Sequence, residues 1–303
     1  MSARPAPAPP ALAWQPLAPR RAALLTVDVE DWYHVNYRSW SPPPGWQPAP
    51  RVVEATRIVL DRLAAHGCRG TFFVLAAAAR AHPDLVRAIA AGGHEVACHG
   101  LEHTLLYEGR PDAVLAALRE ARRILEDQAG APVLGFRAPS WSITSPALWV
   151  LDAIAAAGFR YDASLFPVPT YLYGLRAAPL APSWVRTPGG AVLLEIPAPV
   201  VSLGPLRVPH GGGFYLRMLP FIVERLAQRR RLARGTPALV YLHPRELDPV
   251  RHTLPLGRRE RLIQDIGVRR VGPKLERLLA LHPWGTIRDA YRDELAAPPP
   301  PVA

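Results

Sequence analysis

From Ala22 to Asp162, short apolar runs alternate with segments of helical period, and this alternation limits the chain to few architectures. Residues 22–29, 71–75, 95–98, 133–136 and 159–162 read as strands. Residues 52–66, 83–91, 111–128 and 145–157 read as helices. Pro111 stands at the start of its helix and Gly130 just past the end, while Ser145-Pro146 and Gly158 bracket the last one. Strands and helices in strict succession predict parallel βα units, which gather chemistry at the C-terminal ends of their strands. Past residue 163 the rhythm breaks. A Pro-, Gly- and aromatic-rich stretch holds one strand at 192–196, then a helix at 218–233, a strand at 238–242, helical sequence at 258–282, and Thr286 as a helix cap.

Polar residues of chemical interest sit where those runs end. Asp28, Glu30 and Asp31 close the first strand. Clustered carboxylates raise one another's pKa unless a cation neutralises them. Their plain alternative is an acidic loop or a helix N-cap. His99 and His103, four apart, fall on one face of a helical turn and can reach one metal ion. With one carboxylate they make the three-ligand set of a catalytic metal site, which leaves a position for water. Arg137 lies in an apolar context that favours a buried, paired guanidinium, suited to holding a catalytic carboxylate ionised. His243 ends the run Leu239–Leu242 and suits a general acid, with Asp162 as the group that holds and tunes it. Trp32, Tyr33, Trp141 and Phe166 follow these motifs and can stack on sugar faces or pack in a core. The remaining histidines, His34 among them, read as structural or solvated.

Composition narrows the function classes. The formal charge of +11 comes from arginine, since Lys274 is the only lysine. A basic surface can attract acidic polymers or anionic lipid. No basic patch is interleaved with aromatics as in single-strand binders, so nucleic acid is not an expected partner. Cys68 and Cys98 read as buried free thiols rather than a disulfide framework. No apolar stretch reaches membrane-helix length. Residues 1–20 read as a disordered Pro/Ala-rich leader without an ordinary signal-peptide pattern, and 297–303 as a disordered tail. The expectation is a cytoplasmic protein.

The motifs Thr26-Val27-Asp28-Val29-Glu30-Asp31, Gly93 to His103, Phe136-Arg137-Ala138-Pro139-Ser140-Trp141 and Leu242-His243 resemble those of the polysaccharide deacetylases of carbohydrate esterase family four, which share the NodB-homology domain. The Asp-Val-Glu-Asp-Trp form, with the segments 161–167 and 243–249, is similar to the branch found at exosortase-associated exopolysaccharide loci. The resemblance implies an α/β fold, a distorted (β/α)7 barrel over 21–245, with a C-terminal helical extension over 246–296 packed on it. It implies a divalent metal, usually zinc, with cobalt or another divalent ion as alternatives, and removal of N-acetyl groups from N-acetylhexosamine units of a glycan. By carry-over Asp28 is the base, His99 and His103 are metal ligands, and Arg137 holds Asp28. His243 is the acid tuned by Asp162, Leu242 lines the pocket for the acetyl methyl, and a backbone N–H near Ser140 meets the oxyanion. The third ligand is Glu30 or Asp31, with Asp31 favoured by residue type. Ser140, Trp141 and Trp32 are the expected sugar-side residues. Peripheral contact with the inner membrane or with exopolysaccharide assembly machinery is a further expectation. Two other readings are an amidohydrolase for a cyclic ureide on the same barrel and a glycan-binding protein with a dead site. The complete set Asp28, His99, His103, Arg137 and His243 favours the deacetylase over both.

Overall fold

The computed structural model describes residues 12–302. Its strands are β1 (Ala13–Pro16), β2 (Ala23–Val29), β3 (Thr71–Val74), β4 (Glu95–Cys98), β5 (Gly135–Phe136), β6 (Tyr161–Asp162), β7 (Ser183–Arg186), β8 (Val192–Glu195), β9 (Val200–Leu203), β10 (Leu206–Pro209) and β11 (Ala238–Leu242). The main sheet runs β1-β7-β8-β6-β5-β4-β3-β2-β11, and β9 and β10 form a separate hairpin. The strands from β11 through β2, β3, β4, β5 and β6 to β8 are all parallel, so the expected seven-strand parallel array is present. The ladder is not closed among the described residues. β8 continues into antiparallel β7 and β1, and the free edge of β11 is met at Tyr241 by Gly211 and Gly212.

Side chains on a strand alternate between faces, and here the two faces have different fates. On β2, Leu25, Val27 and Val29 join the large cluster under the outer helices, whereas Leu24 belongs to the inner cluster with Phe73, Ala97, Tyr161, Leu194 and Leu239. Ile287 and Tyr291 of the C-terminal extension pack into that inner cluster. The outer layer follows from helical period. Pro111–Ala129 buries Val114, Leu118, Ala121 and Leu125, and Gly130 ends it in the left-handed region at φ 65°.

Several expectations need correction. The leader is not disordered throughout: Ala13–Pro16 pairs with Ser183–Arg186, while residues 1–11 lie outside the described residues. The tail is not wholly loose either, because Val302 is buried. The helix expected at 218–233 is two pieces, Gly213–Met218 and Phe221–Ala233, separated at Pro220, whose ring forbids helix continuation. The helical region 258–282 breaks at Gly267, φ 68°. Thr286 does cap the helix Ile287–Ala290, its hydroxyl accepting from the Asp289 amide.

Both cysteines are free and buried, and burial pushes the Cys98 thiol up to about 12 although the Gly100 amide donates to its sulfur. Cys98 should therefore resist a disulfide reagent in the native chain and react fully in denaturant. A spectrophotometric thiol titration reads this, and rapid native labelling at Cys98 would contradict the packing under β4.

Candidate active site

The inner parity of the strands carries the polar groups to one end of the sheet. Asp28 continues the inner series Leu24, Thr26 on β2, and Glu30 extends it by one more step. His99 follows Ala97, Arg137 follows Gly135, and His243 follows Tyr241. Asp28, Glu30, His99, Arg137 and His243 stand at or just beyond C-terminal strand ends, and Asp28, Glu30, His99, His103 and His243 line one cavity of 560 Å³.

Arg137 is 1 % exposed. Its Nη1 donates to Asp28 Oδ1 at 2.7 Å and to Thr26 Oγ at 2.9 Å, and its Nε donates to the Ala163 carbonyl at 3.1 Å. The guanidinium also stacks 4.1 Å from the Phe73 ring centroid and 4.9 Å from that of Trp141. Asp28 Oδ2 faces His243 Nε2 at 3.9 Å.

Glu30, His99 and His103 present ligand atoms within 4.8 Å of one another. Glu30 Oε2 is 2.7 Å from His103 Nε2 and 3.5 Å from His99 Nε2, and it is buried without a well-aligned hydrogen-bond donor. Burial would raise the Glu30 carboxyl, but the adjoining His103, with His99 and His243, holds it well below the usual carboxylate range. His99 Nδ1 donates to the Arg137 carbonyl at 2.9 Å, which fixes its tautomer and leaves the Nε2 lone pair free toward Glu30. The histidine pair is not on a helical turn. It lies on a bend after β4, where Gly100 takes φ 99° against Pro139. His103 Nδ1 is 3.2 Å from Asn36 Nδ2, which also donates to Ser140 Oγ. A half-turn of the Asn36 amide makes it an acceptor from His103 Nδ1.

Asp31 is corrected as the favoured third ligand. It has the opposite parity to Glu30 and turns toward the helical layer, where its carboxylate accepts from the amides of Trp32, Arg51 and Val52. It thereby caps the start of the helix Val52–Ala65. Asp162 is corrected for the same reason. Tyr161 and Ala163 face inward, so Asp162 faces outward, accepting from Ser164 Oγ and lying beside Glu195 of β8. Burial raises both carboxyls, with the neighbouring Asp162 charge raising Glu195 further, and Asp162 is pushed up to about 6. Leu242 is likewise outward and fully buried under the helices, and Tyr241 lines the cavity in its place. Trp32 stacks on His252 at 4.4 Å and faces a neighbouring cavity of 420 Å³. Ser140 and Trp141 do line the main cavity, on a turn held at φ 51° and 54°, a costly conformation for such residues.

Sequence reasoning passed over Glu246, Arg217, Asn36 and His34. His34 lines the cavity, accepts from the Asp31 amide, and is pushed down to about 4 mainly by burial. Glu246, not Asp162, is the carboxylate beside His243. It accepts from the His243 amide at 3.0 Å and stands 3.5 Å from Nδ1. The signal available was the spacing His243-Pro244-Arg245-Glu246, in which an acid at the third position folds back on the first residue of the turn.

Known proteins resemble this chain in part of its sequence and in its fold. Residues 26–161 match the polysaccharide deacetylase family, and residues 163–292 match a domain of unknown function, DUF3473. A chitooligosaccharide deacetylase from Rhizobium leguminosarum bv. trifolii is 40 % identical over 67 residues, 22 % of this chain and 31 % of that protein. The chain thus spans about a third of the length of that curated relative. In fold it is similar to a probable polysaccharide deacetylase from Pseudomonas aeruginosa PAO1, with TM-score 0.58, 17 % identity and 90 % of each chain covered. It is equally similar to a Puue allantoinase, with TM-score 0.59, 19 % identity, and 92 % of this chain and 91 % of that one covered. The match to the polysaccharide deacetylase family thus covers residues 26–161, a little under half of the chain, and the DUF3473 match begins directly after it.

Removing one partner of a buried ion pair strands the other charge. Arg137→Met should lower stability by about 3–5 kcal/mol in urea unfolding. A loss below about 1 kcal/mol would show that Asp28 does not depend on the guanidinium.

Proposed function

We propose that this chain is a metal-dependent hydrolase that removes N-acetyl groups from N-acetylhexosamine units of a glycan. The observation that carries the proposal is the convergence of a three-ligand cluster, a buried Arg-held carboxylate and a histidine on one cavity. The donor set fits a divalent cation: a buried carboxylate oxygen lies against two imidazole nitrogens without an aligned hydrogen bond, and one imidazole has its tautomer fixed by a backbone carbonyl. Glu30, His99 and His103 would hold the ion, with zinc the best match to two nitrogens and one oxygen. When bound, it supplies Lewis acidity and makes a water nucleophilic near neutral pH.

The other roles belong to the chain's own side chains. Asp28, fixed by Arg137, takes a proton from the attacking water. His243 faces Asp28 across the cavity and gives a proton to the nitrogen as the C–N bond breaks. Burial would lower the His243 pKa, but Glu246 and then Glu30 raise it above the ordinary imidazole value. The aromatic wall of Trp141, Tyr173 and Tyr215 offers faces for sugar rings. No helix among the described residues is long and apolar enough to cross a membrane. Peripheral contact at the inner membrane face remains compatible with the basic charge.

The deciding experiment is acetate release from N-acetylglucosamine oligomers and from bacterial exopolysaccharide, with and without chelator. The expected result is release that chelator abolishes and zinc restores, with a loss of at least about 10²-fold in Asp28→Asn. Release that chelator leaves unchanged would sink the metal-dependent reading.

The ligand assignment has its own test in zinc affinity. Glu30→Gln should weaken zinc binding by about 10- to 100-fold or more. Asp31→Ala should keep the zinc affinity while lowering stability by about 1 kcal/mol through the lost cap. A competition titration with a fluorescent chelator reads the first, and the reverse pattern would restore Asp31 as the ligand.

A further inference from the structure

Building on the deacetylase reading, we propose that Glu246, locked in place by Arg217, is the positioning residue of the acid His243, and that the DUF3473 segment thereby supplies the whole proton-donating half of the site. The deacetylase-matched segment ends at residue 161, before His243, Glu246 and Arg217. Within 26–161 lie the base, its arginine and the metal cluster. The acid, its carboxylate and the guanidinium that holds that carboxylate all lie within 163–292.

The geometry forms a chain of three groups. Glu246 is 2 % exposed, and one of its oxygens, Oε2, serves both the His243 backbone amide at 3.0 Å and the Nδ1 side of the ring at 3.5 Å. The other, Oε1, is 3.2 Å from Arg217 Nε, a buried ion-pair contact and not an aligned hydrogen bond, because that N–H is donated to the Gly213 carbonyl. Arg217 is 3 % exposed and is itself held, donating to the carbonyls of Gly213 and Gln264. Gly213 belongs to the short helix beside the cavity and Gln264 to the C-terminal extension, so three parts of the segment converge on one carboxylate. His243 Nδ1 is buried without an aligned hydrogen bond among the described residues, and Glu246 Oε2 at 3.5 Å is the carboxylate oxygen it faces. With Nδ1 turned to Glu246, Nε2 is the nitrogen that faces Asp28 and Glu30, each at 3.9 Å. Catalytic hydrogen bonds are often long before substrate binds, and 3.5 Å at Nδ1 is of that kind. As the C–N bond breaks, the proton on Nε2 passes to the departing nitrogen, while the proton on Nδ1 stays and is shared with Glu246.

A positioning role separates from a structural one by leaving group. An amine must be protonated to depart, whereas the phenolate of an aryl acetate need not be. Glu246→Gln should lower kcat for an N-acetylglucosamine oligomer by about 10²-fold with KM within about 3-fold, and change hydrolysis of 4-nitrophenyl acetate by less than about 3-fold. Asp28→Asn gives the background for the ester. Arg217→Gln should show the same selectivity at about 10-fold, and it keeps the test alive if Glu246→Gln does not fold. Equal losses on amide and ester, or an undiminished amide rate, would overturn the proposal. A second readout needs no turnover. The His243 Nδ1 proton should resonate far downfield in the zinc-loaded native chain and move upfield in Glu246→Gln. A resonance indifferent to the substitution would overturn the coupling. A native chain that releases no acetate yet shows the shift would defeat the deacetylase reading while upholding the Glu246–His243 pair.

Discussion

The ion pair between Arg137 and Asp28 is the constraint around which the rest of the site is arranged. Removing two charges from water costs several kcal/mol per ion and is offset only when every donor and lone pair finds a partner. Arg137 meets that condition through Asp28, the Thr26 hydroxyl, the Ala163 carbonyl and two aromatic faces. Those partners come from β2, β3, the turn after β5 and the residue after β6. One side chain therefore fixes the relative height of four strand ends. The carboxylate it holds has only one oxygen left for chemistry, and that oxygen points toward His243.

Strand parity decides which of the neighbouring polar residues share this interior. Asp28 and Glu30 are two apart and face the cavity; Asp31 is one further and faces the helices. The same rule takes Asp162 and Leu242 out of the site and brings in Tyr241. The alternation of β-formers in Leu24 to Val29 was enough to distinguish Glu30 from Asp31, because a ligand beside Asp28 must keep its parity. Residue type pointed the other way. Geometry prevails because a carboxylate on the wrong face cannot reach the imidazoles, and there it meets backbone amides that need an acceptor.

Much of the first half of the fold was legible because each βα unit repeats local signals: an apolar run, a turn, and a helix bounded by Pro or Gly. The strands 95–98 and 238–242 and the helix 83–91 fall where periodicity puts them. After residue 163 the hairpins Ser183–Glu195 and Val200–Pro209 are local, but the pairings that join this segment to the rest are not. Ala13–Pro16 finds Ser183–Arg186 some 170 residues away, and no short-range pattern announces such a partner. The three-residue return from His243 to Glu246 was local and readable. Arg217 was not, because its place against Glu246 depends on how the two broken helices fold back over the cavity.

This division has a physical consequence for how the two segments depend on each other. The parallel strands from β2 to β6 create a cavity with charge on one wall, and a charge-lined cavity open to water is a poor place for amide hydrolysis. The segment after residue 163 closes it with Trp141's aromatic partners Phe166 and Tyr241 and with Tyr173 and Tyr215. Lower local dielectric strengthens every charge interaction within, which is what allows Glu30 to remain ionised beside Asp28 when a cation or the imidazoles stand between them. The same closure buries Glu246, and a buried carboxylate must have partners. His243 and Arg217 lie against it, and these with Arg245 hold Glu246 down to about 2 against the opposing effect of burial. The enclosing segment is thus bound to His243 by the electrostatic need of its own carboxylate, so the wall of the cavity and the imidazole within it form one unit.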